Sequence, residues 1–113
     1  MITSYSFGQI TSDGREYTAD VIIYPDHVDD KWWRIEGHRC CLTDLPDVWR
    51  HRPAALVIGM GDPGLMRVDG DLKEYCASNN IELIVQPTAQ AVDSFNQLLR
   101  QGGSVIAALH LTC

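Results

Sequence analysis

Three apolar runs of strand length in the second half of the chain constrain its fold most. They are AALVIG (54–59), IELIV (81–85) and SVIAALHL (104–111), with a segment of helical spacing between each pair. Strands that are apolar throughout are usually covered on both faces, and parallel strands are joined by right-handed helical crossovers. The pattern predicts a parallel β-α-β-α-β unit with helices on both faces. A chain of 113 residues is expected to form one domain over residues 1–113.

The two segments between these runs predict helices. The first runs from about Gly70 to Ser78 and ends at Asn79-Asn80. The second is predicted to be capped by Thr88 and to end at Gly102-Gly103. Its apolar side chains fall on one side at helical spacing, and they are Ala91, Val92, Phe95, Leu98 and Leu99.

The residues before these runs predict a β-hairpin and a short helix. Asp13-Gly14 supplies the turn, which needs residues that tolerate positive φ, between strands at 5–10 and 16–24. Thr43 is predicted to be the N-cap of a helix that ends near Arg50, because Pro53 disfavours helical backbone before it. We therefore expect an α/β fold, a three-layer domain with a mixed β-sheet, in which an N-terminal β-hairpin precedes the parallel β-α-β-α-β unit.

Composition and charge exclude several classes of partner. The formal net charge is −6, and nucleic-acid affinity comes mainly from cationic contacts, so no nucleic acid is expected to bind. No apolar run approaches the roughly 18 to 20 residues of a membrane span, and no signal peptide is recognisable. We expect a cytoplasmic protein, and we expect its four cysteines to be reduced thiols.

The stretch GMGDPG (59–64) has the G-x-G-x-x-G spacing of a dinucleotide-binding turn, formed by Gly59, Gly61 and Gly64. Its context opposes that function, because the predicted helix begins only at Gly70 and Pro63 lacks a donor N–H. We predict a tight strand-exit loop at the floor of any cleft, and no nucleotide cofactor.

A cationic and aromatic segment, WWRIEGHR (32–39), stands out in an acidic chain. Trp32, Trp33 and Arg34 either cover the core or face a protein partner, since Trp and Arg are enriched in binding hot spots. Together with Arg34, His38 and Arg39 offer an alternative, a pocket for a small anionic ligand that lies across from the glycine loop. The residues alone do not separate these interpretations.

No metal site is predicted, although zinc-ligand residue types are present. They are His38, Cys40, Cys41, His110 and Cys113. The two groups stand roughly seventy residues apart and contain no CxxC knuckle, which argues against zinc. A nucleophilic pairing of Cys113 with a histidine is equally weakly supported.

Six segments, taken in order, resemble one small domain family. They are SYSFG, YTADVIIYPD, WWRIEGH, ALVIGMGDPGLM, ELIVQPTAQAVDSFNQLL and AALHLTC. The family includes the mitochondrial NADH:ubiquinone oxidoreductase (complex I) assembly factor 3, the adipogenesis-associated Mth-type domain protein and many short bacterial and archaeal proteins. The positions that match its motifs are Trp32, Trp33, Arg34, Gly37, His38, Gly59, Gly61, Gly64, Pro87, Thr88, His110 and Cys113.

The resemblance implies a three-layer fold around a mixed β-sheet, and it implies no established reaction or cofactor. The mitochondrial assembly factor acts through protein partners, so we expect a non-catalytic, assembly-factor-like interaction domain with an unidentified protein partner. The alternative is a small-molecule or anion-binding protein, or a minor enzyme, with a cleft at the Gly59–Gly64 loop. The chain looks most similar to the stand-alone prokaryotic members, and a role in complex I assembly is not carried over.

Overall fold

A five-stranded mixed sheet forms the centre of the structure, a computed structural model that describes residues 1–113. With strands numbered in chain order, its spatial order is β5 (Val28–Asp29), β4 (Val21–Ile23), β10 (Val105–Leu109), β7 (Ala55–Gly59) and β9 (Glu82–Gln86). The last three strands are mutually parallel, and β4 is antiparallel to β10. The predicted mixed sheet with its parallel unit is confirmed.

Helices cover this sheet on both faces, as the apolar strands predicted. Helix α2 (Gly70–Ser78) connects β7 to β9, and α3 (Thr88–Arg100) connects β9 to β10. Alternate residues of β7 face opposite cores: Val57 packs in the core that contains Phe95 of α3, and Leu56 packs in the core that contains Leu72 of α2. The structure therefore has three layers.

The N-terminal residues form a separate antiparallel sheet. It consists of β1 (Ile2–Ser6), β2 (Gln9–Ser12) and β3 (Arg15–Tyr17). Asp13 and Gly14 make the β2–β3 turn with φ of 51° and 79°, which confirms the predicted hairpin turn. The single strands predicted over 5–10 and 16–24 are both wrong. The chain turns at Phe7-Gly8 between β1 and β2. It also leaves β3 after Tyr17 and joins the central sheet only at Val21.

Two predicted helix caps are also wrong. A single 3-10 turn (Leu42–Asp44) precedes helix α1 (Pro46–His51), so Leu45, and not Thr43, is the N-cap of α1. Pro87 is the N-cap of α3, and Thr88 is its first residue. The hydroxyl of Thr88 makes no cap hydrogen bond and instead accepts from the N–H of Gly61 and donates to the carbonyl of His110.

A short pair of parallel strands joins WWRIEGHR to the residues that follow the glycine loop. Both segments were predicted from the sequence as candidate parts of a site. Strand β6 (Arg39–Cys40) lies beside β8 (Arg67–Val68). The pairing holds WWRIEGHR against the chain that follows the glycine loop, and the N–H of Arg67 donates to the carbonyl of His38 at 2.8 Å. Both segments therefore meet at the carboxyl edge of the parallel strands.

Candidate functional site at the carboxyl edge of the sheet

The glycine loop begins where β7 ends and is closed over by the last residues of the chain. A Cβ on Gly61, whose φ is +96°, would lie 2.8 Å from the His110 ring and would overlap the carbonyl of Thr112. A Cβ on Gly59 would lie 2.7 Å from Oγ1 of Thr88. The space that these glycines leave is occupied by this chain's own atoms.

The amide groups of the loop donate to the protein itself. The N–H of Gly61 donates to Oγ1 of Thr88 at 2.8 Å, and the N–H of Asp62 donates to the carbonyl of Thr112 at 2.9 Å. The N–H of Leu65 donates to the carbonyl of Cys113 at 3.1 Å. A phosphate cradle needs such groups free. The helix that follows begins at Gly70, as predicted, and not within the glycine motif.

Beside the loop, three charged or titratable side chains from distant parts of the chain meet in a cluster, in which Arg34 and His110 are buried and Asp20 is half-buried. Oδ2 of Asp20 accepts from Nη2 of Arg34 at 2.9 Å and lies 2.8 Å from Nδ1 of His110. Oδ1 of Asp20 accepts from the N–H of Leu111 at 2.8 Å. We call Asp20, Arg34 and His110 the carboxyl-edge cluster.

Strand register explains how this cluster forms. Val21 of β4 is paired with Leu109 of β10 in the antiparallel ladder. The next residues outward, Asp20 and His110, are therefore neighbours. The Arg34 guanidinium reaches them from WWRIEGHR while it stacks on the Trp32 indole, 4.4 Å from the ring centroid.

The ionised carboxylate of Asp20 requires a proton on Nδ1 of His110. Burial opposes ionisation of Asp20, but hydrogen bonds from His110 and the Leu111 N–H, with the charges of His110 and Arg34, lower its pKa. An ionised carboxylate only accepts hydrogen bonds, so Nδ1 of His110 carries the proton it donates. Nη2 of Arg34, 3.2 Å from the same nitrogen, is then a second donor to Asp20 and not a partner of the histidine.

The remaining polar side-chain atoms of Arg34 and His110 are buried away from solvent. Nε2 of His110 and both Nε and Nη1 of Arg34 are buried without a hydrogen-bond partner. An aspartate that orients a histidine is also an arrangement found in catalytic sites. Here Nε2 of His110 reaches neither solvent nor a nucleophile, and the cluster's contacts anchor residues 110–111 to the rest of the fold.

The residues that were predicted to form a ligand or partner surface fall into two groups, one buried and one exposed. Trp32 is buried and its indole N–H donates to the carbonyl of Asp44 at 3.0 Å. Arg34 is buried in the carboxyl-edge cluster, with 4% of its side chain exposed. Trp33 is 74% exposed, and Ile35 is 67% exposed. The segment alternates inward and outward, with the arginine on the inward side.

The other two basic residues of the segment lie at the surface. His38 is exposed, and its ring meets that of His110 edge-on at 5.8 Å. Arg39 makes a two-pronged ion pair with Asp69, with Nε and Nη2 within 3.1 Å of its oxygens, and also pairs with Glu36. The hydrogen bonds from Arg39 lower the pKa of Asp69. The charges of both Arg34 and Arg39 are thus already balanced by carboxylates.

Most of the exposed large apolar side chains belong to segments that contact residues 110–113. Gly8, next to Phe7, donates its N–H to the carbonyl of Leu111, and the N–H of Leu65 donates to Cys113. Phe7 is 58% exposed and Leu65 is 47% exposed. We call Phe7, Trp33, Ile35 and Leu65 the apolar rim. Among large apolar residues only Met1 is exposed elsewhere.

No cavity opens at the glycine loop. The three cavities of the structure are lined by residues outside both the loop and WWRIEGHR. An anion or small-molecule cleft at Gly59–Gly64 therefore stays a prediction that no cavity supports.

The four cysteines are free thiols, and burial raises the pKa of Cys40 to about 12. No group of three metal-ligating side chains is assembled, and no helix is long and apolar enough to span a membrane.

Comparison with known families shows which family the chain belongs to. A family model described as a protein of unknown function (DUF498/DUF598) matches residues 2–110. The chain belongs to this family. Membership in a small domain family of unknown function, expected from the segment resemblance, is confirmed. The resemblance to an assembly factor is a basis for proposals only.

Solved structures share the fold of this DUF498/DUF598 member. A conserved hypothetical protein, PH1505 from Pyrococcus horikoshii OT3, is 23% identical, with a TM-score of 0.88 over 100% of this chain and 99% of that one. XCC1710 of Xanthomonas campestris is 18% identical, with a TM-score of 0.81 over 98% and 83%. A protein described as an outer membrane protein from Bartonella henselae is 20% identical, with a TM-score of 0.79 over 99% and 94%. At these identities the likeness establishes the fold alone.

Sequence reasoning did not identify Asp20 as a site residue, and the only structural role that it gave Thr88 was that of a helix cap. A signal for Asp20 was present, because it interrupts the apolar pattern YTADVIIY directly before a buried strand. His110 likewise stands in the otherwise apolar AALHL. Charged or titratable residues at the ends of buried strands are rarely buried without partners, so such positions predict a buried polar contact.

Proposed function

We propose that this chain is a protein-interaction domain and that the apolar rim is its docking face. One observation carries the proposal: four of the five exposed large apolar side chains lie in segments that contact residues 110–113, the Trp33 and Ile35 segment through Arg34 between them. Single exposed apolar residues are ordinary, whereas several around one site are typical of an interaction surface. Trp33 is the expected anchor, because Trp is among the residues most enriched in binding hot spots.

The rim has a rigid support. Arg34, which lies between Trp33 and Ile35 in sequence, is held by Asp20 and by the carbonyl of Gly37 at 2.7 Å. Its stacking on Trp32 fixes the same segment to the core. Side chains presented from fixed backbone lose less conformational entropy on binding, which favours affinity.

The charge of the chain defines the chemistry of the partner. With a formal net charge of −6, the protein repels acidic surfaces and attracts basic ones. The expected partner is therefore a basic protein that supplies apolar side chains to the rim. No catalytic step is part of this proposal.

The experiment is quantitative affinity capture from the native host with a Trp33→Ala/Ile35→Ala double variant. We expect capture of a specific basic partner to fall by about tenfold or more, as for loss of hot-spot residues. The melting temperature should change little, because both side chains are mostly exposed. Arg34→Ala is unsuitable here, because it would leave Asp20 without its buried cation.

A matched control is Lys73→Ala/Glu74→Ala, which alters two exposed residues of α2 outside the rim. It should capture the partner as the unaltered chain does. Equal capture by the rim variant and the unaltered chain would contradict the proposal. Sedimentation of the purified chain tests a second occupant: a dimer that the rim variant abolishes would make the rim a self-association surface instead.

A further inference from the structure

A cavity of about 370 Å³ opens at the amino edge of the parallel strands, the edge opposite the apolar rim. Its lining residues are Trp49, Arg52, Pro53, Tyr75, Asn79 and Ile81. They come from α1, from the end of α2 and from the residues that lead into β7 and β9. The volume lies within the range of small-molecule sites, and the cavity is independent of the proposed docking face.

Two aromatic rings form adjoining walls of this cavity. The rings of Trp49 and Tyr75 stand 4.7 Å apart between centroids at an angle of 54°. The Trp49 indole N–H donates to the carbonyl of Leu42 at 2.8 Å, which fixes the plane of that ring. Pro53 and Ile81 are buried and add apolar surface. A flat aromatic group can therefore lie against one ring and meet the other at its edge.

The cavity also has an unbalanced positive charge. Arg52 forms no ion pair and no side-chain hydrogen bond, whereas Arg50, two residues earlier, is paired with Asp47 at 2.7 Å. The backbone N–H of Arg52 donates to the carbonyl of Trp49, so its left-handed conformation, with φ of 47°, is held by the helix end. A guanidinium beside an aromatic pocket matches a planar carboxylate, to which it can donate two parallel hydrogen bonds.

Further polar groups at the cavity leave acceptor and donor capacity for a ligand. Nδ2 of Asn79 donates to the carbonyl of Tyr75 at 2.8 Å, which leaves its Oδ1 as an acceptor. The Tyr75 hydroxyl makes no hydrogen bond within the protein and can donate. We propose that this cavity binds a small aromatic carboxylate, with its ring against Trp49 and Tyr75 and its carboxylate paired with Arg52.

Titration with phenylacetate, followed in ¹H–¹⁵N correlation spectra at the Trp49 indole N–H, tests the proposal. We expect saturable shifts of that resonance, with a dissociation constant on the order of 1 mM, as is usual for so small a ligand in an open site. Phenylacetamide, which has the same ring and no charge, should bind at least about fivefold more weakly, because it cannot form a charge-assisted pair. The indole resonances of Trp32 and Trp33 should not move.

Two variants locate the charge. Arg52→Gln should weaken phenylacetate binding by about fivefold or more, while Arg50→Gln, outside the cavity, should change it less than about twofold. The proposal is overturned if phenylacetate does not shift Trp49 at about 10 mM, well above the expected constant. It is equally overturned if phenylacetamide binds as tightly, or if the two arginine variants weaken binding to the same extent.

Discussion

Asp20 and His110 lie 90 residues apart in sequence and 2.8 Å apart in the fold, where the carboxylate orients the imidazole at the end of β10. The same carboxylate binds the buried guanidinium of Arg34. One aspartate thereby joins the central sheet, the segment that carries Trp33 and the last residues of the chain. The carboxyl edge depends on this contact for its shape.

Replacement of Asp20 tests how much the carboxyl-edge cluster stabilises the fold. Asp20→Asn removes the negative charge and leaves the Arg34 guanidinium buried without its counter-charge, and breaking such a pair costs about 3 kcal/mol. The measurement is the free energy of unfolding in urea at neutral pH. Asp47→Asn breaks an exposed pair with Arg50 and should cost less than about 0.5 kcal/mol. Similar losses for both variants would refute a special role for the cluster.

Acid should destabilise the chain through the same residue. The pKa of Asp20 is lowered in the folded state, whereas an aspartate in the unfolded chain has a pKa of about 3.9. The stabilisation is therefore complete above that value and is lost as the pH falls through the folded pKa. Melting temperatures between about pH 5 and 2 should fall less steeply for Asp20→Asn than for the unaltered chain. Parallel curves for the two proteins would show that Asp20 does not contribute.

Gly61 should tolerate no side chain. Gly61→Ala would force a left-handed residue to place its Cβ against the His110 ring and the Thr112 carbonyl, and overpacking with backbone strain costs about 2–4 kcal/mol. Gly14→Ala is the matched control, because its φ of +79° is equally left-handed but nothing lies within 4 Å of the added Cβ. Its loss, from strain alone, should stay near 1 kcal/mol. Equal unfolding free energies would mean that the glycine loop is not packed against residues 110–113.

The Thr88 hydroxyl should stabilise the fold by linking the glycine loop to the end of β10. It accepts from the N–H of Gly61 at 2.8 Å and donates to the carbonyl of His110 at 2.6 Å, both buried. Thr88→Val keeps the shape and leaves two buried groups unpaired, at a cost of about 1–3 kcal/mol in unfolding free energy. Thr88→Ser keeps the hydroxyl and should retain most of the stability. If Thr88→Val had the same free energy of unfolding as Thr88→Ser, the two hydrogen bonds of the hydroxyl would contribute nothing to stability.

Local patterns in the sequence were sufficient for most of the architecture. Apolar runs of strand length, helical spacing and the Asp13-Gly14 turn are properties of neighbouring residues, and they predicted the parallel unit and α2 from Gly70 to Ser78. The predicted caps at Thr43 and Thr88 were wrong, although a threonine before a helix is a local signal for a cap. Thr43 lies inside the 3-10 turn that precedes α1, and the hydroxyl of Thr88 donates to the distant carbonyl of His110.

The carboxyl edge was decided by tertiary structure. In Trp32-Trp33-Arg34-Ile35 the chain alternates inward and outward, and no local rule tells that Trp32 and Arg34 point inward while Trp33 and Ile35 are exposed. Arg34 is buried only because Asp20 is there to balance it, and Asp20 is there because β4 pairs with β10 in the register that sets Val21 opposite Leu109. The sequence by itself therefore determined the three layers, since those follow from local periodicity. Which side chains meet at the edge, and which are left exposed for a partner, depends on strand register, a property of two segments brought together only by folding.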